Sequence, residues 1–319
     1  MGNFASMFIR VAAISLMILA GFVARRLGSL DEKGTKALSG ILMDYIYPPA
    51  IFASLVGSYT FREVLDGWVY PVSEVVMFVI GFAVGALMLR FFPNRSDGER
   101  RMFHYQCTLM NFMFMPLPIV LGLFGERGVA ILSLGYVGGE VAIWTIGIVA
   151  ITGGLSLKEL RKALCTPMIA ILLAIAVLLI GEYLPVLRPG KGTLAATVCD
   201  GLLGACRSLG AGTVGISMLI AGSNMATLKL KRIFQPFHLT LAACRLLIVP
   251  ALSIFALRFL PIPPEGRMIC MLVAMMPSSI ASAAYSSCFN ADGETAATAI
   301  LLTHLGSLLT VPMWVALLF

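Results

Sequence analysis

The sequence predicts an all-α membrane protein of ten transmembrane helices, arranged as two inverted five-helix repeats with broken helices at positions four and nine. Three observations predict it. The first is composition: 59% of the 319 residues are hydrophobic and only 12% are charged, where a soluble domain carries about a quarter charged residues. The second is the spacing of apolar runs, each close to the roughly 20 residues that cross a bilayer. The third is a proline-bearing, polar interruption that recurs in the fourth and ninth runs.

The runs lie near 4–24, 38–57, 68–92, 103–124, 129–153, 166–187, 208–227, 239–260, 268–289 and 295–318. The first exceeds a signal-peptide core and has no obvious cleavage site, so it is expected to be retained. Arg25 and Arg26 close it, and Pro48–Pro49 interrupt the second. Asp200 and Arg207 make the approach to the seventh the least apolar, as an interfacial helix would be. The longest connection, near 188–207, is too short to fold alone. No room is expected for a separate catalytic or nucleic-acid-binding module. The formal charge of +7 is read as cytoplasmic loops rather than nucleic-acid binding.

Orientation follows from those loops. Connections after odd-numbered runs hold 14 Lys and Arg, among them Arg25, Arg26, Lys33, Lys36, Arg90, Arg95, Arg100 and Arg101. The others hold 6: Arg62, Arg127, Arg188, Lys191, Arg258 and Arg267. Positive loops stay inside, so both termini are expected outside the cytoplasm. The seven cysteines are scattered, with no C-x-x-C pair. They read as small buried residues, not as disulfides or a metal site, and no cofactor is implied.

The repeat divides the chain at 1–155 and 156–319. Run four reads NFMFMPLPIVLGLFG and run nine reads AMMPSSIASAAYSSCFN. Each is the fourth of its five, and five is odd, so the second copy enters the membrane upside down. Proline breaks the helix by removing a donor and crowding the preceding turn. Irregular backbone at membrane depth survives only against protein or a water-filled cavity. Matched breaks in inverted halves point to a substrate site where they cross. Asn111, Pro116 and Pro118 from run four and Pro277, Ser278, Ser279, Ser282 and Tyr285 from run nine are the expected site residues.

Ionisable groups inside runs are functional candidates. Glu140 sits in LSLGYVGGEVAIWTIGI, with Gly138 and Gly139 allowing close approach. It is a proton carrier or the structural partner of a buried arginine. His304, in the run matching Glu140's, is a proton relay or a ring satisfied by a backbone carbonyl. Arg245 attracts a carboxylate or snorkels to the cytoplasmic edge; Arg10 is similar and nearer an edge. Asp44 binds a cation or pairs with an arginine. Glu74 reads as a packing partner and Asn224 as a helix cap.

These segments resemble the auxin efflux carrier family in its compact bacterial branch. GFVARRLGSLDEKGTKALSGILMDYIYPPAIFASLV is similar to the family's opening, Asn111 to Pro118 to its N-x-G-F-x-G-x-P pattern, and WTIG at 144–147 to its W-T-x-G. The closing MPSSIASAAYSSCFNADGETAATAILLTHLGSLLTVP resembles the family's last two spans. The likeness covers nearly the whole chain. It implies a scaffold of helices 1, 2, 6 and 7, a transport domain of helices 3–5 and 8–10, a homodimer, and secondary transport of a small organic anion such as malonate or malate across a bacterial inner membrane, by elevator-like alternating access. The chain departs from the pattern at Met113 and Pro116, where glycines are usual, and at Glu140, where asparagine is common.

Two other readings are open: a sodium-coupled symporter of the bile-acid type, with a related broken-helix fold, and, in a different class, a membrane sensor or scaffold without transport. A sensor should carry a soluble output domain. No H-E-x-x-H or G-x-S-x-G occurs, so an enzyme is not expected.

Overall fold

A computed structural model describes residues 16–113, 115–154, 165–183, 194–226, 234–282, 285–286 and 289–318. Arg10 and the basic loops at 155–164 and 227–233 lie outside the described residues, as does the side chain of Asn224. Every regular element described is a helix; an isolated antiparallel bridge joins Met110 to Ser278.

Helix α1 covers 16–26. Asp31 caps α2 (Glu32–Ser58), its carboxylate accepting from Gly34 N at 2.6 Å. Pro48–Pro49 do not break α2. A widened π turn, Leu42–Ile46, comes first, so the prolines enter as the opening residues of the continuing helix. There their missing N–H groups cost nothing. Pro250 in α9 (Pro236–Leu257) follows a second π turn, Cys244–Ile248, in the same way.

Helix α3 (Phe61–Phe91) leads through a short turn to α4 (Asp97–Thr108), opened by a Ser96–Glu99 capping box. Extended backbone separates α4 from α5 (Pro116–Thr152). Gly125 splits α5 into two arms at φ 63°, ψ −158°, a backbone other residues rarely adopt. Then come α6 (Thr166–Tyr183), α7 (Leu194–Gly210) and α8 (Thr213–Met225). After α9, the short α10 (Pro264–Ala274) ends in a second extended break, and α11 (Gly293–Leu318) closes the chain.

Seven stretches among the described residues are long and apolar enough to cross a membrane. Expected spans four and nine are absent from that set for a physical reason. Each is cut by its break into pieces too short to cross, 12 residues for α4 and 11 for α10. The outer arm of span four is also continuous with span five through the Gly125 elbow. Half of the expected first span lies outside the described residues.

Helix α2 packs against α5, α6 and α7, while α3 packs against α4, α5, α9 and α10. Gly138 of α5 lies so close to the Pro71 carbonyl of α3 that no Cβ would fit. Large apolar side chains such as Val79, Leu173, Phe255 and Leu309 face outward, as lipid-facing helices require.

Candidate functional site

The two breaks meet. Asn111 N donates to Pro277 O at 2.7 Å, and Ser279 N donates to Leu109 O at 3.3 Å. These bonds flank the Met110–Ser278 bridge, so two unwound segments about 165 residues apart in sequence satisfy each other's backbone, as buried irregular chain must.

The ends of the flanking half-helices are satisfied by side chains. Arg245 of α9 is fully buried, at 0% exposure. Its Nη2 donates to Ala274 O at 2.8 Å, Nε to Met276 O at 3.2 Å and Nη1 to Cys107 O at 3.4 Å. One guanidinium therefore closes the C-terminal carbonyls of both α4 and α10, where a cation also complements the helix dipoles. Snorkelling is ruled out, because the group never reaches an edge. Ser278 Oγ donates to Gln106 O at 3.4 Å, and Ser278 N to Thr303 Oγ1 at 3.2 Å.

The prolines act differently from the sequence expectation. Pro116 and Pro118 do not sit in the break; they are the first and third residues of the half-helix after it. A helix start normally leaves four N–H groups without partners. Here two are absent because the residues are proline. Of their neighbours, Leu117 N bonds to Met113 O at 3.0 Å and Met115 N to Asn111 Oδ1 at 3.3 Å. The positive end of the helix dipole still faces the crossing, with few backbone donors left to offer.

What remains unpaired at the crossing is side-chain chemistry. Asn111 is 3% exposed, and its Nδ2 has no protein partner. Gln106 Nε2 donates to Ser282 Oγ at 2.7 Å and to Ala296 O at 3.1 Å, leaving its buried Oε1 without a donor. The buried Tyr105 hydroxyl is also unpartnered. Tyr285 packs edge-on to both Tyr105 and Trp144, with ring centroids 5.8 Å away in each case.

Glu140 lies on α5 and is buried. Its Oε2 accepts from Trp144 Nε1 at 3.1 Å and from the Cys165 thiol at 3.7 Å. Among the described residues, no arginine stands within ion-pair distance of it. The buried arginine, Arg245, is instead within electrostatic reach of Glu74. Glu74 is 2% exposed and its Oε2 has no hydrogen-bond partner, which is more than packing explains. His304 donates from Nδ1 to Ile300 O at 2.8 Å, so in the neutral ring the basic lone pair is on Nε2, which is buried without a partner. Asp44 is exposed on α2 and accepts from Thr166 Oγ1 at 2.8 Å. It pairs with a threonine rather than an arginine.

The structure thus brings Asn111, Pro277, Ser278, Ser279 and Arg245 together by direct bonds or shared carbonyls. It leaves Asp44 on a different surface. Sequence reasoning missed Gln106, Thr303 and Tyr105; a lone amide five residues before Asn111 in an apolar run was the available signal for Gln106. A polar pocket of about 230 Å³ lies apart from the crossing, lined by Ser96, Glu99, His238, Asp292, Glu294 and Thr295. Among the described residues, no group of three or more His, Cys, Asp or Glu is placed to hold a metal ion.

The sequence profile described as membrane transport protein matches residues 6–156 and 152–315. An uncharacterized transporter of Methanocaldococcus jannaschii is 24% identical over 317 residues, covering 95% of this chain and 96% of its own. A second uncharacterized transporter, from Methanothermobacter thermautotrophicus, is 24% identical over 315 residues with the same coverage of both chains.

Proposed function

We propose, on the premise that this chain belongs to the membrane transport protein family, that of the auxin efflux carriers, that it is a secondary carrier of a small organic anion, a mono- or dicarboxylate. In this reading ten spans form two inverted repeats in the cytoplasmic membrane. Spans 1, 2, 6 and 7 are the scaffold; spans 3–5 and 8–10 move as an elevator-like body, and the carrier is a homodimer.

The observation that carries the reading is the bonded crossing of two unwound segments. Broken backbone at membrane depth survives only where protein or a water-filled cavity satisfies it, and matched breaks in the two halves point to a substrate site where they cross. An anion is favoured by the buried positive charge of Arg245, by the half-helix dipole at Pro116 and by the free Asn111 amide. Arg245 is assigned to holding the crossing in shape and to setting its potential, since its nitrogens already serve three carbonyls. Asn111 is the direct contact. Ser279 and Tyr285 line the approach, and Pro116 and Pro118 restrict recognition to side chains. Glu140 and His304 are the coupling candidates, and Glu74 joins them.

A sodium-coupled carrier is the second reading. Buried acceptors without donors, Gln106 Oε1 and Glu74 Oε2, are the observation that favours it. One experiment separates the two: thermal stabilisation of the purified protein by mono- and dicarboxylates, with and without sodium, followed by uptake into proteoliposomes. A ligand that binds only the folded state raises its apparent stability. Stabilisation by a carboxylate without sodium supports the anion carrier. Stabilisation only with sodium selects the symporter, and none with any anion overturns the substrate class.

A further inference from the structure

At the Gly125 elbow, two adjacent residues of opposite charge reach in opposite directions. Glu126 accepts from Arg207 Nη2 of α7 at 3.2 Å, and its backbone carbonyl accepts from the Ser54 hydroxyl of α2 at 3.0 Å. Arg127 Nε lies 3.6 Å from Glu265 Oε2 at the start of α10. At the same end of the molecule, Arg62 of α3 donates to Glu182 of α6 at 3.1 Å. Gly57 of α2 makes room for this arrangement, because a Cβ there would stand 2.6 Å from Arg207 Nη2.

These contacts sort by body. Ser54 and Glu182 belong to scaffold spans 2 and 6, and Arg207 to α7, which leads into scaffold span 7; Glu126 belongs to the moving body, and Arg62 to the short helical turn that leads into it. Toward the other end, among the described residues, scaffold and moving body meet without an ion pair, through the Cys165 thiol, 3.7 Å from Glu140 and 3.8 Å from Tyr136, and through the Tyr47 ring edge-on to Tyr136 at 5.8 Å between centroids. A thiol contact is a weak hydrogen bond; the elbow end is joined by charge.

We propose that Glu126–Arg207 and Arg62–Glu182 form a latch that holds the elbow side of the carrier shut, and that releasing it opens the crossing to that side. The inference rests on the two-body reading given under the proposed function. By the Lys and Arg distribution, the elbow side is the outer face, so the described conformation is closed to the outside. Both pairs are partly exposed. Such pairs are weak and screened by salt, which suits a contact that must break in every cycle. A deeply buried pair would trap one state.

The test is hydrogen–deuterium exchange of the full-length protein in nanodiscs, at low and high salt. It compares wild type, Glu126→Gln, and the charge swap Glu126→Arg with Arg207→Glu. Exchange in peptides covering 109–115 and 275–281 is expected to rise in Glu126→Gln by about two- to fivefold, the population change an exposed pair supports. Exchange in the α9 peptide should not change. High salt should do the same to wild type, and the charge swap should return exchange to the wild-type level. Unchanged exchange at the crossing overturns the latch. So does a uniform rise in every peptide, which reports general destabilisation, or a swap that fails to restore. Carboxylate uptake, measured separately, keeps the two ideas distinguishable. Absent uptake with the predicted exchange pattern refutes the carrier reading alone; uptake with unaltered exchange refutes the latch alone.

Discussion

Asn111 donates its backbone N–H to Pro277 O at 2.7 Å while its side-chain oxygen accepts from Met115 N at 3.3 Å. One residue therefore joins the two breaks and satisfies the backbone N–H of Met115, the residue just before the helix that follows. Only its side-chain Nδ2 is left over. That division of labour lets structure and recognition be separated by mutation.

Asn111→Asp keeps the oxygen that accepts from Met115 N and removes the free donor. Carboxylate uptake is expected to fall by at least about tenfold, the loss of one charge-assisted hydrogen bond plus repulsion, with the melting temperature lowered by the buried carboxylate but the protein still folded. Asn111→Ala should lose both uptake and some stability. Wild-type uptake in Asn111→Asp would remove Asn111 from recognition. The measurements are proteoliposome uptake and a thermal melt on the same preparation.

Arg245→Met leaves the carbonyls of Cys107, Ala274 and Met276 without their donor. Each buried unsatisfied group costs about 1–3 kcal/mol, so a large drop in melting temperature or in folded yield is expected. Arg245→Lys keeps the charge but has no planar fork to span both half-helices, and should lie between. A melt of Arg245→Met equal to wild type would show that the guanidinium does not hold the crossing.

Glu140→Gln retains an acceptor for Trp144 and loses the titratable group. The pH profile of uptake is expected to flatten, with Trp144 fluorescence close to wild type because its partner remains. A profile that keeps its wild-type shape at full activity would take Glu140 out of coupling and leave His304 and Glu74 as the groups to test next.

The capping box of α4 lies outside the spans and predicts an acid-range effect. Burial pushes the Glu99 carboxyl up, but the Ser96 backbone N–H and hydroxyl, with Arg95, outweigh it and hold it below the usual carboxylate range. A carboxylate lowered in the folded state adds stability that is present above its unfolded pKa and lost as pH falls through the folded value. Glu99→Gln should therefore melt below wild type at neutral pH by the equivalent of about 1 kcal/mol. The gap should close as pH falls through the acid carboxylate range. A gap independent of pH would mean that the charge of Glu99 contributes nothing.

The sequence by itself determined that this chain is built of apolar helices fit for lipid, and which two segments are broken where they cross. Apolar run length and proline position are local signals, and the bilayer leaves a helix few alternatives. It also pointed to Asn111 and Pro277, because polar and helix-breaking residues in an apolar run are conspicuous. Only the tertiary structure decided what those groups touch. That Arg245 serves three carbonyls from two helices, and that Glu140 meets Trp144 and Cys165 rather than an arginine, depends on packing between segments far apart in the chain. Pro116 and Pro118 show the limit most clearly. Their composition announced a break, but whether a proline creates a free carbonyl or removes a free N–H depends on its register in the helix. That register is visible only in the folded chain, where Asn111 N donates to Pro277 O in the other unwound segment.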